Sequence, residues 1–247
     1  MVFSELLRFV ELEFYPHEVE IPPSLKRLVN YCRGGRLRDY YAVDSGYVVQ
    51  EVGDYDVLVQ LVVGVGREVK KRFLVQKAYD DVHYVARINE IKFAEALHGG
   101  LVLVDGPLTP YVNTSNVVGV SKDPRLVRYG PRIAQEDLRH EFVSVAKKIG
   151  EKEVARRLLQ GEPPGSYLEP VEIGDFYGTF IKSDWVLYVE FPKSMRAEEI
   201  CGVLSRYPIR LRVAHHLAKL NRKFLNSIYY LMLNMVKPQK INIRELL

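Results

Sequence analysis

The sequence predicts an α/β fold in which helices flank a mixed sheet, and three observations support this class. Strand-like segments at 41–52, 55–65 and 73–78 are separated by turn residues, which is typical of an antiparallel meander. Residues 84–98 then change to helical spacing. The four consecutive apolar residues at 101–104 predict a strand that is buried on both faces.

The remaining segments predict helices on either side of this sheet. Residues 1–38 predict two short helices around a proline break, with Ser24 as the N-cap of the second and Gly34-Gly35 at its end. Later segments predict a strand at 117–123, a helix at 138–149 that resumes after Gly150 as far as Leu159, a hairpin at 177–181 and 185–191, a helix at 197–204 and a long helix at 211–235. We expect one domain over 1–247: an N-terminal helical segment (1–38), a core (39–192) and C-terminal helices (193–247) that complete the site.

Composition sets the broad class of the protein. Of its 247 residues 47% are hydrophobic and 27% are charged, which is enough apolar material for a substantial core. The net charge of +4 permits an anionic partner without requiring one. No basic segment leads into an apolar one at the start, and no apolar run approaches the roughly 18 residues of a membrane span. We therefore expect a soluble, cytoplasmic protein with no membrane partner.

The two cysteines, Cys32 and Cys201, are far apart in the sequence. They could form a disulfide. Without an export signal, reduced and buried thiols are the expected state.

Three acidic residues predict a metal site. Asp44 and Asp105 each follow a short apolar run, and Glu90 lies in the apolar stripe of the predicted helix. Carboxylates at strand ends suit Mg²⁺ or Mn²⁺, which prefer oxygen ligands and can activate water for attack on a phosphodiester. The alternative is that both aspartates are ordinary turn residues, since Ser-Gly and Gly-Pro follow them. A shift in helix phase would expose Glu90 and bury Glu95 instead.

A second group of candidates includes Tyr207, His215 and Lys122. His215 falls on the same helical side as Leu211, where it is either a structural residue or a metal ligand or donor to phosphate. Tyr207 could stack on a base or orient water, or could be a buried core residue. Lys122 ends a predicted strand and could reach a scissile phosphate, although most such lysines extend to solvent.

Other site types are absent from the sequence. It contains no Walker loop and no GxGxxG, CxxC, HExxH or GxSxG motif, which argues against nucleotide hydrolysis and thiol chemistry. Basic residues at 67–72 and 125–132 could contact a nucleic-acid backbone.

Three antiparallel strands, a helix with an acid and a buried strand with an acid form the opening topology of the ribonuclease H-like fold. In this order the motifs resemble the NurA family of nucleases. The matching blocks are Ala42-Val43-Asp44-Ser45-Gly46, Arg87-Ile88-Asn89-Glu90-Ile91, Leu103-Val104-Asp105-Gly106-Pro107-Leu108, Val118-Gly119-Val120-Ser121-Lys122-Asp123, Tyr188-Val189-Glu190-Phe191-Pro192, Tyr207-Pro208 and Ala214-His215.

The resemblance implies a ribonuclease H-like core that cuts DNA with Mn²⁺ or Mg²⁺, as a single-strand endonuclease and a 5′-to-3′ exonuclease. It implies a homodimer that works with the hexameric translocase HerA in DNA end resection for recombinational repair. Asp44, Glu90 and Asp105 would be metal ligands, and Tyr207 and His215 a distal catalytic pair. His215 is also a candidate ligand, and Lys122 a candidate for steadying developing charge.

Two departures from the family pattern concern this site. Ser45-Gly46 reverses the usual order after the first acid, and His216 replaces the acid that usually follows the histidine. Which histidine faces the metal therefore stays open. The alternatives to this nuclease are a catalytically silent subunit that binds DNA ends or docks a translocase, and a structure-selective nuclease of the same superfold acting on branched DNA or RNA.

Overall fold

The structure is a computed structural model that describes residues 19–32, 39–52, 55–77, 81–97, 100–110, 114, 116–122, 127–221, 223–228 and 230–231. The strands in these residues are β1 (Val29–Asn30), β2 (Tyr40–Val52), β3 (Tyr55–Val65), β4 (Val69–Lys77), β5 (Leu101–Asp105), β6 (Val117–Ser121), β7 (Tyr167–Leu168), β8 (Val171–Ile173), β9 (Phe176–Lys182) and β10 (Val186–Pro192). The α-helices are α1 (Val82–Glu95), α2 (Glu136–Ile149), α3 (Glu151–Leu159), α4 (Ala197–Leu204) and α5 (Ile209–Ala218), and short 3₁₀ helices cover Pro23–Leu28 and Gly130–Arg132. The predicted α/β class, a mixed sheet with flanking helices, is confirmed.

The chain divides into two compact units. The first unit comprises residues 1–38, 106–109 and 118–207, and the second comprises 39–105, 110–117 and 208–247.

In the second unit the strand order is β5-β2-β3-β4. β2, β3 and β4 form the predicted antiparallel meander, and β5 pairs with β2 in parallel. β5 is buried along residues 101–104, as its apolar run predicts. Helices α1 and α5 pack on these strands, and Val63 and Val65 of β3 form a cluster with Ala214 and Ala218 of α5.

Two expectations for the meander are corrected. β4 begins at Val69 rather than Phe73, and Asp44 lies in the interior of β2 rather than at its end. The strand continues because Ser45 and Gly46 pair with Val62 and Leu61 of β3. Gly46 lies against the backbone carbonyl of Ala218 on α5, where a Cβ would collide. Here the glycine permits close helix packing instead of forming a turn. The predicted turn at 53–54 lies outside the described residues.

In the first unit β10 pairs with β6 and β9, and β9 also pairs with β7 and β8, while β7 pairs with β1. The predicted hairpin is confirmed as β9 and β10, and the helix with a break at Gly150 is confirmed as α2 and α3. The core of this unit contains a chain of four aromatic rings, in which Tyr129 contacts Phe142 and Phe180, and Phe180 contacts Tyr188.

Two helix predictions are revised. The segment with Ser24 is a 3₁₀ helix whose Ser24 hydroxyl donates to Glu141 rather than capping the helix. The long helix predicted at 211–235 starts at Ile209, and α5 ends at Ala218, with a further helical stretch at 223–228. The first predicted helix of the chain, before the proline break, lies outside the described residues. Across the described part of the chain, every helix is too short or too polar to cross a membrane.

The expectation of reduced cysteines is wrong in this structure. Cys32, after β1, is bonded to Cys201 on α4, with 5.9 Å between their Cα atoms. The two residues are 169 positions apart, so only the folded first unit brings them together.

Candidate metal centre

The register of β2 and β5 places two aspartates side by side. The parallel pairing runs from Tyr40 opposite Leu101 to Val43 opposite Val104, and the next residues are Asp44 and Asp105. Side chains at matching positions of parallel strands point to the same face of the sheet. Asp44 is 8% exposed, whereas Asp105 is half-buried. The strand pair therefore presents two carboxylates together at one point.

His215 of α5 completes a three-residue cluster. The imidazole Nδ1–H donates to Oδ2 of Asp44 over 2.7 Å. One potential ligand atom from each of Asp44, Asp105 and His215 lies within 4.8 Å of the other two. His215 reaches Asp44 because its neighbour Ala214 is buried against β3, which brings this part of α5 onto the sheet. The histidine beside the acids is thus His215 rather than His216, and both residues are exposed.

Glu90 lies on α1, on the helix face that is buried. Ala86, Glu90 and Ala94 are spaced four residues apart and all are buried, with Glu90 only 5% exposed. The helix starts at Asp81, whose carboxylate accepts the backbone N–H groups of residues 83 and 84. The predicted helix phase is confirmed at Glu90, while Glu95 is half-buried. Glu90 falls outside the three-residue cluster defined by the 4.8 Å limit.

Glu90 is held by a guanidinium and a hydroxyl. Arg87, one turn earlier on α1, lies 3.0 Å from Oε2 of Glu90 and also donates to the backbone carbonyl of Asp105 over 2.6 Å. The Ser45 hydroxyl donates to Oε2 of Glu90 over 3.1 Å, and the Ser45 backbone N–H donates to Asp44 Oδ1 over 2.8 Å. Ser45 therefore connects Asp44 to Glu90.

A polar network behind the acids was missed in the sequence. Gln60 of β3 is fully buried, and its amide donates to the Ser45 hydroxyl and to the Ala86 carbonyl. Asn89 of α1 donates to the Gln60 side-chain oxygen over 3.1 Å. The signal was a glutamine inside the apolar run Leu58-Val59-Gln60-Leu61-Val62, because a buried amide requires partners.

Burial and mutual repulsion disfavour the charged form of these acids. Burial raises the pKa of Asp44, and the neighbouring Asp105 carboxylate raises it further, against the opposing hydrogen bond from His215. Burial raises the pKa of Glu90 to about 7; the Arg87 charge opposes this shift, and the Asp44 charge adds to it. The site therefore concentrates negative charge that the protein itself compensates only in part.

This arrangement fits a divalent cation. Oε1 of Glu90 is buried and has no hydrogen-bond partner among the described residues. Two carboxylates and an imidazole are suitable donors for Mn²⁺, and carboxylates alone suit Mg²⁺. The donor set suits a divalent cation. A bound cation would also stabilise the charged carboxylates and so oppose the rise in their pKa values.

The other two predicted site residues belong to the first unit. Tyr207 is 7% exposed and follows α4, and its backbone N–H donates to Asp184 Oδ2 over 3.2 Å. Lys122, just after β6, places its Nζ 4.9 Å from the centre of the Tyr207 ring. The Trp185 ring stacks on Tyr207 with 4.9 Å between centroids. The sequence indicated only the start of a strand at Trp185 and did not predict this stacking.

Comparison with known proteins identifies similar domains and structures. The model of the NurA domain matches residues 38–220. The NurA nuclease from Sulfolobus solfataricus has a similar structure, with 11% sequence identity and a TM-score of 0.56 over 96% of this chain and 94% of that one. A NurA structure with manganese aligns at 11% identity and a TM-score of 0.53, covering 95% of this chain and 96% of that chain.

A third similar structure is NurA bound to dAMP and manganese, at 10% identity and a TM-score of 0.51, covering 89% of this chain and 92% of that chain. No curated protein sequence matches the chain. At these identities the structural matches show a shared fold, and the domain match supplies the family.

Proposed function

The chain belongs to the NurA nuclease family, and on this premise we propose that it is a deoxyribonuclease that depends on Mn²⁺ or Mg²⁺. The observation that carries the proposal is the convergence of Asp44, Asp105 and His215 within 4.8 Å, with the buried Glu90 linked to them through Ser45.

We assign the metal to Asp44, Asp105 and His215, with Glu90 as a fourth ligand through its unpartnered Oε1. A divalent ion there would supply Lewis-acid polarisation of the phosphate and activation of water. The resemblance implies Asp44, Glu90 and Asp105 as metal ligands, and the position of His215 beside the two aspartates supports adding it to them.

The chain's own residues orient this site. The imidazole of His215 fixes one oxygen of Asp44, and the Ser45 backbone fixes the other. Arg87 holds the backbone of Asp105 and one oxygen of Glu90, so that only Oε1 is left to face a ligand. Such a network preorganises the carboxylates before substrate arrives.

Tyr207 and Lys122, both in the first unit, are proposed as further catalytic residues. An ammonium group is suited to steadying negative charge on a phosphate, and a phenol to orienting water. Their mutual contact within the first unit supports a shared role.

The wider role follows the family. We propose single-strand endonuclease and 5′-to-3′ exonuclease activity, on a ribonuclease H-like domain spanning 1–247. The proposed setting is cytoplasmic DNA end resection for recombinational repair, as a homodimer with a HerA-type hexameric ATPase. The NurA structure that contains dAMP and manganese supports DNA as the substrate.

A cleavage assay tests the nuclease proposal. Labelled single-stranded DNA is incubated with Mn²⁺ and either wild type or Asp105→Asn, and with wild type in EDTA. Asp56→Asn is the matched control, because Asp56 is an exposed aspartate of β3 in the same unit. We expect wild type and Asp56→Asn to cut, and Asp105→Asn to lose about 100-fold or more in rate, since one ligand and its orientation are lost.

Metal binding is measured in parallel by titration of Mn²⁺ into the same proteins, followed by electron paramagnetic resonance. Weaker binding in Asp105→Asn with unchanged binding in Asp56→Asn is expected. Cutting by Asp105→Asn at the wild-type rate would reject this site. Tight Mn²⁺ binding without any cutting by wild type would favour a silent DNA-end-binding or translocase-docking subunit.

A further inference from the structure

Trp185, the single tryptophan of the chain, occupies the connection between β9 and β10. The connection is closed by a hydrogen bond from the Ser183 backbone N–H to the Trp185 carbonyl, over 2.9 Å. Trp185 remains 38% exposed. A large apolar ring in a tight turn, held accessible to water, contributes little to the core that begins at the buried Val186.

One face of the Trp185 indole packs against another aromatic ring. Its ring stacks on that of Tyr207, with centroids 4.9 Å apart and an angle of 27° between the planes. Tyr207 is itself only 7% exposed, and its backbone is tied to the carboxylate of Asp184 in the same turn. Tyr207 therefore presents no open ring face for a base. The accessible aromatic surface of this pair belongs to Trp185.

A cation accompanies the two rings. Lys122 Nζ lies 4.9 Å from the centre of the Tyr207 ring. The one acid in the turn, Asp184, accepts the backbone N–H of Tyr207. An exposed aromatic surface next to an ammonium group matches a nucleotide, which has a flat base and an anionic phosphate.

We propose that Trp185, supported by Tyr207 and accompanied by Lys122, is a stacking platform for an unpaired base of single-stranded DNA. A duplex does not offer this contact, because its base faces are already stacked within the helix. The immobilised indole loses little conformational freedom on binding, which favours such a contact. The platform rests on the proposed DNA substrate, but its binding requires no metal.

The single tryptophan makes a direct test possible. In EDTA, where cutting is prevented, a twelve-residue oligothymidylate is titrated while the intrinsic tryptophan fluorescence is recorded. We expect quenching, because a base stacked on the indole removes it from water. An abasic oligonucleotide of the same length keeps the phosphates without the bases, and we expect it to quench at least several-fold less.

Affinity is measured separately by the fluorescence anisotropy of labelled oligothymidylate. Alanine substitution of a base-stacking aromatic weakens binding by about 5- to 150-fold, and we expect about tenfold for Trp185→Ala. Trp185→Phe should keep most of the affinity, and Trp185→Leu, which keeps apolar bulk without an aromatic face, should not. Tyr31→Ala is the matched control, because Tyr31 is a 52% exposed aromatic of the same unit.

The outcomes separate this platform from the nuclease proposal. Equal quenching by abasic DNA, equal affinity of Trp185→Leu and wild type, or a tenfold preference for duplex DNA or for oligouridylate would overturn the platform. Asp105→Asn in EDTA should still show quenching. If wild type never cuts DNA but retains base-dependent quenching, the nuclease proposal fails and the platform stands.

Discussion

Glu90 gives the sharpest prediction of how stability depends on pH in the metal-free protein. Its pKa is about 7 in the folded chain against an ordinary value of 4.5, chiefly because the carboxyl is buried. Between those values the folded state holds a proton that the unfolded state has released. Stability therefore falls as pH rises through this window, and it is highest when Glu90 is protonated in both states.

The magnitude follows from the shift. Each pKa unit corresponds to about 1.4 kcal/mol, so a rise from 4.5 to about 7 has a full effect of about 3 kcal/mol. Between pH 5 and pH 8 the expected loss attributable to Glu90 is about 2–3 kcal/mol, since part of the window lies below pH 5. Glu90→Gln removes this titration while keeping the shape of the side chain and a carbonyl oxygen for Arg87.

Urea unfolding in EDTA at pH 5, 6, 7 and 8 measures the effect as the change in free energy of unfolding. Wild type should lose about 2–3 kcal/mol more than Glu90→Gln over this range. Glu95→Gln, a half-buried glutamate of the same helix, controls for the loss of a carboxylate on α1 and should follow wild type. Parallel pH profiles for wild type and Glu90→Gln would refute the reasoning, because they would mean that Glu90 is not buried as described.

The structure supports three further predictions. Because the disulfide spans 169 residues, the chain-entropy model predicts that its reduction lowers the free energy of unfolding by up to about 5 kcal/mol. Urea unfolding with and without a phosphine reductant measures this loss. The variant with both Cys32→Ser and Cys201→Ser should not respond to the reductant. Arg128→Met leaves the fully buried Glu190 without its 2.8 Å ion pair and should lower the free energy of unfolding by about 3 kcal/mol. Adding Glu190→Gln should recover part of this loss. An unchanged midpoint of urea unfolding for the single variant would contradict the pairing. Gly46→Ala should destabilise by about 1–3 kcal/mol, because its Cβ would collide with the end of α5, and a thermal melt at or above that of wild type would disprove the close approach.

The sequence predicted the structure correctly where the spacing of apolar side chains alone determines the type and the burial of an element. The apolar run at 101–104 predicted a buried strand, and the four-residue spacing of Ala86, Glu90 and Ala94 predicted a buried acid. At Gly46 the sequence left a turn open as an alternative to the predicted strand, because it could not show the approach of α5 from far along the chain. Local patterns cannot report a neighbour that only tertiary packing supplies.

The same limit explains the rest of the site. That Asp44 and Asp105 are adjacent depends on the parallel register of β2 and β5, which the order of segments suggests but does not specify. The hydrogen bonds of Gln60 and the stacking of Trp185 on Tyr207 depend on side-chain placement across elements. The disulfide depends on the fold of the first unit, and composition argued against it.

The electrostatics of the second unit connect its fold to its proposed chemistry. Packing α1 and α5 on the sheet brings Glu90 and His215 to a strand pair that already holds Asp44 and Asp105. Among the described contacts Arg87 pairs with Glu90 and His215 hydrogen-bonds to Asp44, yet burial and the neighbouring carboxylates still raise the pKa values of Asp44 and Glu90. A purely structural site would be more stable with an amide or an apolar residue at Glu90. Retaining a buried carboxylate with one unsatisfied oxygen costs stability, and a divalent cation is the ligand that offsets that cost.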